Sequence, residues 1–305
     1  MIDQGIFIRN DIMKYTLFII YIIIVGACTN RDKVVDLDEL NGYDYRLFQK
    51  TPIWELAKAA EDKNIEKIRY LINKQNLDKD FREPKYGQTL LMVTVNNENI
   101  VSTKALLELG ADPNLHDSYD GSSAIIDAVT LSGIKAEPIE MLNLLIQYGA
   151  DPNDIEVGPR LDGNTTRDTP ILAAASESIT LVKRLVELGA DVNYTDEFGR
   201  TPMKEALFQD NYDIVLYLLE QGTDYTILLI DRSKYNKEGN KMYITDLLRE
   251  KMLPLDSEQY KCKMKIVEFL KEKGIDYKAV PIPDFVIKKA KEKYVDNWQE
   301  YLDKY

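Results

Sequence analysis

An all-α solenoid of about six helix–turn–helix repeats, closed by a C-terminal capping helix, is the fold class that this 305-residue sequence predicts. Three observations carry it. A Gly-x-Asp triplet recurs at Gly110-Ala111-Asp112, Gly149-Ala150-Asp151, Gly189-Ala190-Asp191, Gly222-Thr223-Asp224 and Gly274-Ile275-Asp276, at steps of 39, 40, 33 and 52 residues. An amphipathic segment precedes each triplet (KALLEL, MLNLLIQY, LVKRLVEL, IVLYLLEQ, KIVEFLKEK), with apolar pairs at helical spacing. A helix start recurs in phase with both: Thr169-Pro170-Ile171 ahead of Ala173-Ala174-Ala175, and Thr201-Pro202-Met203 ahead of Ala206. Gly87-Gln88-Thr89-Leu90-Leu91 and Gly121-Ser122-Ser123-Ala124-Ile125 are weaker versions of that start.

Each part has a physical reason. Thr caps a helix N-terminus and Pro fits its first turn, where no backbone donor is needed. Gly takes the left-handed conformation that ends the second helix. Small Ala residues let paired helices approach. The whole pattern resembles the ankyrin repeat, in which a turn, Gly-x-Thr-Pro-Leu, a short helix with Ala, a second helix and Gly-Ala-Asp follow one another. The resemblance covers roughly residues 48–277. It implies turn fingers between repeats, and binding of a protein partner by finger tips and the exposed side of each first helix, which form a concave face. The family's His after Thr-Pro-Leu is absent, its place taken by Leu172 and Lys204, which implies less rigid loops at those turns.

From the N-terminus, residues 15–27 read YTLFIIYIIIVGA, thirteen residues without a charge. That is too short for a bilayer core, which takes about 20 residues, and fits the apolar core of a secretory signal. Lys14 supplies the positive end, and Met13 is the expected true start. Val25-Gly26-Ala27-Cys28 resembles a bacterial lipobox, which implies a signal peptide over 1–27 and a lipid on Cys28. Thr29 after the Cys leans the sorting toward the outer rather than the inner membrane. Residues 28–47, polar and charged at the start, read as a tether between lipid and body. With Cys28 lipidated, Cys262 has no partner for an internal disulfide and reads as a packing residue.

The repeats span 48–279. The first, at 48–81, has Ala59-Ala60 and the degenerate triplet Asn76-Leu77-Asp78 but no Thr-Pro start in place, and reads as a capping unit. The second covers 82–115. The third, 116–153, carries extra residues around 133–138. The fourth has added length at 154–168, and the fifth, 194–226, is the closest to the pattern. The sixth, 227–277, holds about 19 added residues, judged from its 52-residue step; such insertions map to loops. Residues 280–305 read as one capping helix with a stripe of Phe285, Ile287, Ala290, Tyr294, Trp298, Tyr301 and Leu302, since solenoid ends need covering.

Composition narrows the function. Lys plus Arg number 39 against 51 Asp plus Glu, a net charge of −12. Nucleic acid binding needs a basic face, so none is expected. One His, His116, and two Cys leave almost no material for a catalytic triad, a Cys/His pair or a His-rich metal site. No phosphate-binding glycine loop is present. Asp117 and Asp120 read as turn formers. The expectation is a protein that is not an enzyme, takes no cofactor, metal or small-molecule substrate, and is a monomer. The one enzymatic alternative is a site in the sixth-repeat insertion, using Asp231, Lys234, Tyr235 and Glu238.

The expected activity is binding of a protein partner. Aligned on the family pattern, the contact positions are Lys85, Tyr86, Gln88, Asn96 and Asn97 in the second repeat, and Tyr119, Asp120, Ser122, Thr130 and Leu131 in the third. The fourth contributes Thr166, Asp168, Ser176 and Glu177; the fifth contributes Glu197, Phe198, Arg200, Phe208 and Gln209. Tyr86, Tyr119, Phe198 and Phe208 are the expected exposed aromatics, the residue type that anchors protein interfaces. Two settings fit a lipid-anchored binder facing the periplasm or cell surface. One is an immunity-type inhibitor of a toxic effector, for which an acidic face suits a basic partner. The other is a scaffold or regulator of an envelope enzyme.

Overall fold

The computed structural model describes residues 31–130, 138–158, 167–234 and 240–305. The signal and Cys28 lie outside the described residues, as do Leu131, Thr166, Tyr235 and Glu238. Among the described residues are fourteen α-helices and one two-stranded ribbon. Twelve of the helices form six pairs: α1 (Trp54–Glu61) with α2 (Ile65–Asn73), α3 (Leu90–Asn96) with α4 (Ile100–Glu108), α5 (Ala124–Thr130) with α6 (Pro138–Gln147), α7 (Pro170–Ala175) with α8 (Ile179–Glu187), α9 (Pro202–Phe208) with α10 (Tyr212–Glu220), and α11 (Ile244–Glu250) with α12 (Glu258–Glu272). First helices stack on first helices from α1 to α9, and second helices stack on second helices from α2 through α12. This is the expected all-α solenoid.

The helix starts follow from their caps. The Oγ1 atoms of Thr89, Thr169 and Thr201 accept from the backbone three residues on, at 3.3, 3.3 and 3.2 Å. Pro170 and Pro202 follow two of these caps directly. The second helices are capped by Asn64, Asn99 and Ser178. They end in the left-handed region: Gly189 has φ +87°, and Asn76, in the degenerate triplet, reaches φ +53° in the same place.

The residues after each Gly form a ladder along the array. The Asp of each triplet accepts from the backbone two residues on, closing its own turn. Asn114, Asn153 and Asn193 then accept from the N–H of Asp151, Asp191 and Asp224 in the next repeat, at 3.0, 2.8 and 2.9 Å. Asn114 and Asn153 also donate to Gly149 and Gly189 carbonyls at 2.9 and 3.0 Å. The Gly-x-Asp-x-Asn signature is thus the bonding unit between neighbours. Lys204, at a position where the family's His is missing, donates Nζ to the Gly199 carbonyl at 2.7 Å and ties its own turn.

The core is one continuous seam of buried apolar side chains, mostly aliphatic, running from Tyr45 to Tyr277. Two regions depart from the sequence expectation. Residues 31–47, expected as part of a tether, lie folded against the first two repeats. There Leu40, Tyr45 and Leu47 are buried, and Gln49 clasps the chain through the Arg31 and Lys33 carbonyls at 2.6 and 3.0 Å. Residues 280–305 form two helices, α13 (Asp284–Lys293) and α14 (Trp298–Lys304), rather than one. The chain breaks at Tyr294 and folds back, so Val286, Ala290, Tyr301 and Tyr305 make a separate small core while Phe285 stays exposed.

Candidate functional site

Between successive repeats the chain turns out into a finger, and each finger is built around one acidic side chain. In the second repeat Glu83 accepts from the backbone N–H of Lys85, Tyr86 and Gln88 at 2.7, 2.8 and 3.0 Å. In the third, Asp117 accepts from Tyr119, Asp120 and Gly121 at 3.0, 3.1 and 2.9 Å. Glu156 accepts from Asp168 at 2.8 Å, and Asp196 from Phe198 and Arg200 at 2.9 and 2.8 Å. An internal acceptor lets a tight turn project without unpaired donors. These acids recur at 83, 117, 156 and 196. Sequence reasoning found only Asp117 as a turn former; the recurrence was hidden by the mix of Glu and Asp.

Neighbouring fingers are stitched edge to edge. Ser118 donates N–H and Oγ–H to the Tyr86 carbonyl at 2.9 and 3.0 Å. Val157 and Gly158 donate to the Gly121 and Asp120 carbonyls at 3.1 and 3.2 Å. Gly121, at φ +77°, lies so close to Gly158 that a Cβ there would meet its backbone at 1.7 Å, which excludes any other residue. Arg200 donates to Asp168 at 2.8 Å and to Glu205 at 3.1 Å, joining the fourth and fifth fingers.

The predicted contact residues divide on this frame. Tyr119, Phe198 and Phe208 are 49, 50 and 43 % exposed, and Val157, which was not predicted, is 58 % exposed. Asp120 and Glu197 sit beside Tyr119 and Phe198 on their tips; Glu197 lies 3.9 Å from Arg167. Tyr86 and Arg200 differ from expectation. Tyr86 is half-buried, edge-on to Tyr119 at 5.4 Å, with its hydroxyl donating to the Leu40 carbonyl at 3.0 Å. Arg200 is engaged by carboxylates of its own chain, so its role is to hold fingers together. Lys85 and Asn97 are also taken up by contacts with residues 37–43.

The third and fourth fingers crowd carboxyl groups, and burial there favours their neutral form. Burial, then the neighbouring Asp120, pushes the Asp117 carboxyl up to about 6. Burial pushes Glu156 up to about 7 against its backbone hydrogen bond, with Asp168, Asp120 and Asp127 adding to the rise. Tyr43 is raised by burial and by the field of Asp127, Asp120 and Asp117. Unlike charges next to this patch would be stabilised, and like charges repelled.

His116 and Ser123 both bond Asp154: His116 Nε2 lies 3.0 Å from Asp154 Oδ1, and Ser123 Oγ donates to Oδ2. The order is wrong for nucleophilic catalysis, because the hydroxyl donates its hydrogen bond to the carboxylate rather than to the imidazole. Asp154 clamps the finger between the third and fourth repeats. No cluster of three or more His, Cys, Asp or Glu with metal-binding geometry occurs among the described residues. In the sixth-repeat insertion, Asp231 lies in the ribbon of β1 (Ile230–Asp231) and β2 (Lys241–Met242) and binds the Ser233 hydroxyl. No helix among the described residues is long and apolar enough to cross a membrane.

Comparison with known proteins agrees with this architecture. The family model for ankyrin repeats in three copies matches residues 56–156 and 140–228. An ankyrin repeat protein of Rickettsia bellii is 29 % identical over 181 residues, covering 59 % of this chain and 60 % of that protein. Human ankyrin repeat and SOCS box protein 6 is 28 % identical over 168 residues, covering 52 % of this chain and 38 % of its own length. Cyclin-dependent kinase inhibitor 2A of Monodelphis domestica is 32 % identical over 139 residues, 45 % of this chain and 72 % of the inhibitor. The chain thus spans between about two fifths and three fifths of the first two relatives. Repeats matched over more than half the sequence, carried on the helix pairs and fingers described above, place the chain in the ankyrin-repeat family, a family of protein–protein interaction modules.

Proposed function

We propose that this chain is a non-catalytic binder that grips one protein partner along its third, fourth and fifth fingers, held at a bacterial membrane by lipid on Cys28. The observation that carries the reading is the run of exposed apolar side chains Tyr119, Val157 and Phe198 on successive finger tips, with Phe208 at the end of α9. Exposed aromatics aligned on stitched fingers are anchors whose backbone is already ordered, so little entropy is lost on binding. The lipobox-like Val25-Gly26-Ala27-Cys28 after an apolar run supports the anchor, and the face supports a partner in the envelope. Of the two settings, the charge favours an immunity-type inhibitor: the chain carries −12, and Asp120 and Glu197 sit next to Tyr119 and Phe198 in the aromatic row. A scaffold for an envelope enzyme is the alternative.

The test is a pull-down from native membranes with Phe198→Ala/Phe208→Ala as control, together with Cys28→Ser. The expected result is one basic partner, lost in the double variant while the circular dichroism spectrum is unchanged, and loss of normal processing and membrane retention in Cys28→Ser. Several acidic envelope proteins would turn the reading to a scaffold. Capture undiminished by the double variant would remove the finger row as the site, and normal processing of Cys28→Ser would remove the lipid anchor.

A further inference from the structure

Among the described residues, the second finger is covered by a segment of this chain far upstream of it, residues 36–44. Lys85 Nζ donates to the carbonyls of Leu37, Asp38 and Leu40 at 2.9, 3.2 and 2.9 Å. The Tyr86 hydroxyl donates to the Leu40 carbonyl at 3.0 Å, and Asn97 Nδ2 to the Tyr43 carbonyl at 2.7 Å. All five contacts are made to main-chain oxygens. Of residues 31–44 only Leu40 buries its side chain. The finger therefore reads a short helical turn, Leu37–Glu39, and the residues after it through their carbonyls, with one apolar side chain as anchor. This way of binding accepts any segment of similar shape.

The occupied finger and the open ones form one surface. Tyr86 meets Tyr119 edge-on at 5.4 Å, and Tyr43, at the end of the docked segment, feels the carboxylates of Asp117, Asp120 and Asp127 in the third repeat. The docked segment is also less firmly packed than the repeats: hydrogen bonds from three side chains to its main chain, mostly exposed side chains and one buried leucine give it a lower cost of local opening.

We propose that residues 36–44 are a self-ligand, filling in cis the second-finger end of a surface that takes a short turn-forming segment of a partner protein, and that partner binding lifts them off. The partner segment offers main-chain carbonyls to Lys85, Tyr86 and Asn97 and one aliphatic side chain to the place of Leu40. This rests on the reading of the finger row as the binding face. Its consequence is mechanical: where the contacts of residues 31–35 with Gln49, Lys58, Glu61 and Asp62 are lost as well, freeing residues 31–44 adds up to about 50 Å between the N-terminal segment and the repeats, at 3.3–3.6 Å per residue. Engagement of a partner and reach from an anchor are thereby coupled.

The test needs no natural partner and uses the full chain. Leu40→Asp removes the one side-chain anchor of the segment and leaves the fingers intact. A labelled synthetic peptide of residues 35–46, carrying the native Leu40, is titrated by fluorescence anisotropy, and amide hydrogen exchange of residues 36–44 is followed in parallel. The expected result is at least tenfold faster exchange over 36–44 in Leu40→Asp, at least tenfold tighter peptide binding than in the unaltered protein, and loss of that binding when Lys85→Met is added. Unchanged exchange in Leu40→Asp would show the segment to be a fixed part of the first repeat and overturn the proposal. So would a freed segment with no peptide binding, or binding indifferent to Lys85→Met. Should Leu40→Asp speed exchange across α3–α10 as well, Lys85→Met/Tyr86→Phe replaces it. That pair must loosen 36–44 alone, and failure to do so is a refutation. The Phe198→Ala/Phe208→Ala pull-down is independent of these outcomes, so loss of either reading is separable from loss of the other.

Discussion

The two ends of the solenoid are closed by opposite means. At the N-terminal end, residues 31–44 are fastened by main-chain carbonyl contacts and solvent-facing ion pairs: Arg31 to Asp62 and Glu61 at 2.7 and 3.0 Å, and Lys58 to Asp32 at 3.0 Å. At the C-terminal end the charges are inside. Arg249 of α11, 5 % exposed, donates to the Val280 carbonyl at 3.1 Å and the Tyr305 carbonyl at 2.8 Å, with its guanidinium 4.1 Å from the centre of the Tyr277 ring. Lys263 of α12 is fully buried, bonded to the Lys251 carbonyl at 3.1 Å and 3.7 Å from the centre of the Tyr305 ring. An end fastened by water-exposed polar contacts can open with little loss, because water replaces each contact. An end whose guanidinium bonds buried carbonyls opens at greater loss, because those bonds and the Tyr277 ring contact are given up together with the apolar packing of Val286, Ala290, Tyr301 and Tyr305. The firmer closure lies at the end that completes the core, and the more readily opened one at the end where, on the proposal above, a partner segment competes.

Arg249→Ala tests this contrast most severely. It deletes two charge-assisted hydrogen bonds and a ring contact, and strands the Val280 and Tyr305 carbonyls. The expected loss is about 3–5 kcal/mol in urea unfolding, with α13 and α14 becoming protease-sensitive before the repeats. A loss under about 1 kcal/mol would mean that the C-terminal closure is no firmer than the N-terminal one, and the contrast would fall.

Sequence made the repeats legible and the closures not, for a physical reason. The repeat units announce themselves because capping, left-handed glycines and the Asp/Asn ladder each demand a residue type at a fixed step. Residues 31–47 carry no such demand: a segment recognised through its carbonyls has no required side chains, so a polar, charged stretch reads as a tether. Lys263, in the alternating Lys261-Cys262-Lys263-Met264-Lys265, has the pattern of a solvated helix face. What buries it is Tyr305, 42 positions away. The stripe expected in 280–305 fails at Tyr294, where the fold-back shifts the buried position from Phe285 to Val286. Among the contact residues, exposure of Tyr119, Phe198 and Phe208 could be read from repeat phase. The capture of Tyr86 and Lys85 by residues far upstream could not, and neither could the bridging of Arg200 between two fingers.

Lys263→Met sharpens the contrast with a change of opposite sign. Burial, with Arg249 nearby, pushes the Lys263 ammonium down to about 7 from its ordinary value near 10.5. Between those values the unfolded chain holds a proton that the folded chain has released. Stability therefore rises with pH from about 7 upward and is flat below it as far as this residue is concerned, with a limiting slope of about 1.4 kcal/mol per pH unit. Measurements from pH 7 to 9.5 stay below the tyrosine range, which burial raises for Tyr277 to about 12. Methionine fills the same space without a charge, so the variant is expected to gain about 1–3 kcal/mol at pH 7 and to lose the slope. An unchanged slope would mean that the amine is hydrated in the folded protein and that the end is not sealed.

Arg31→Ala is the mildest probe and closes the argument at the other end. Its guanidinium is held above its ordinary proton affinity by hydrogen bonds to Asp62 and Glu61, yet side chains 37, 50 and 39 % exposed give a pair of this kind little net worth. The expected change is below about 1 kcal/mol in low salt and vanishes in high salt. The local effect is larger than the global one: amides of residues 31–35 should exchange faster while those of α1 do not, because the Gln49 clasp and the Leu40 anchor hold independently of Arg31. A global loss comparable to that of Arg249→Ala would show the first closure to be part of the cooperative core. Residues 36–44 could then be lifted only by unfolding the first repeat, a cost no partner segment bonded through carbonyls could offset.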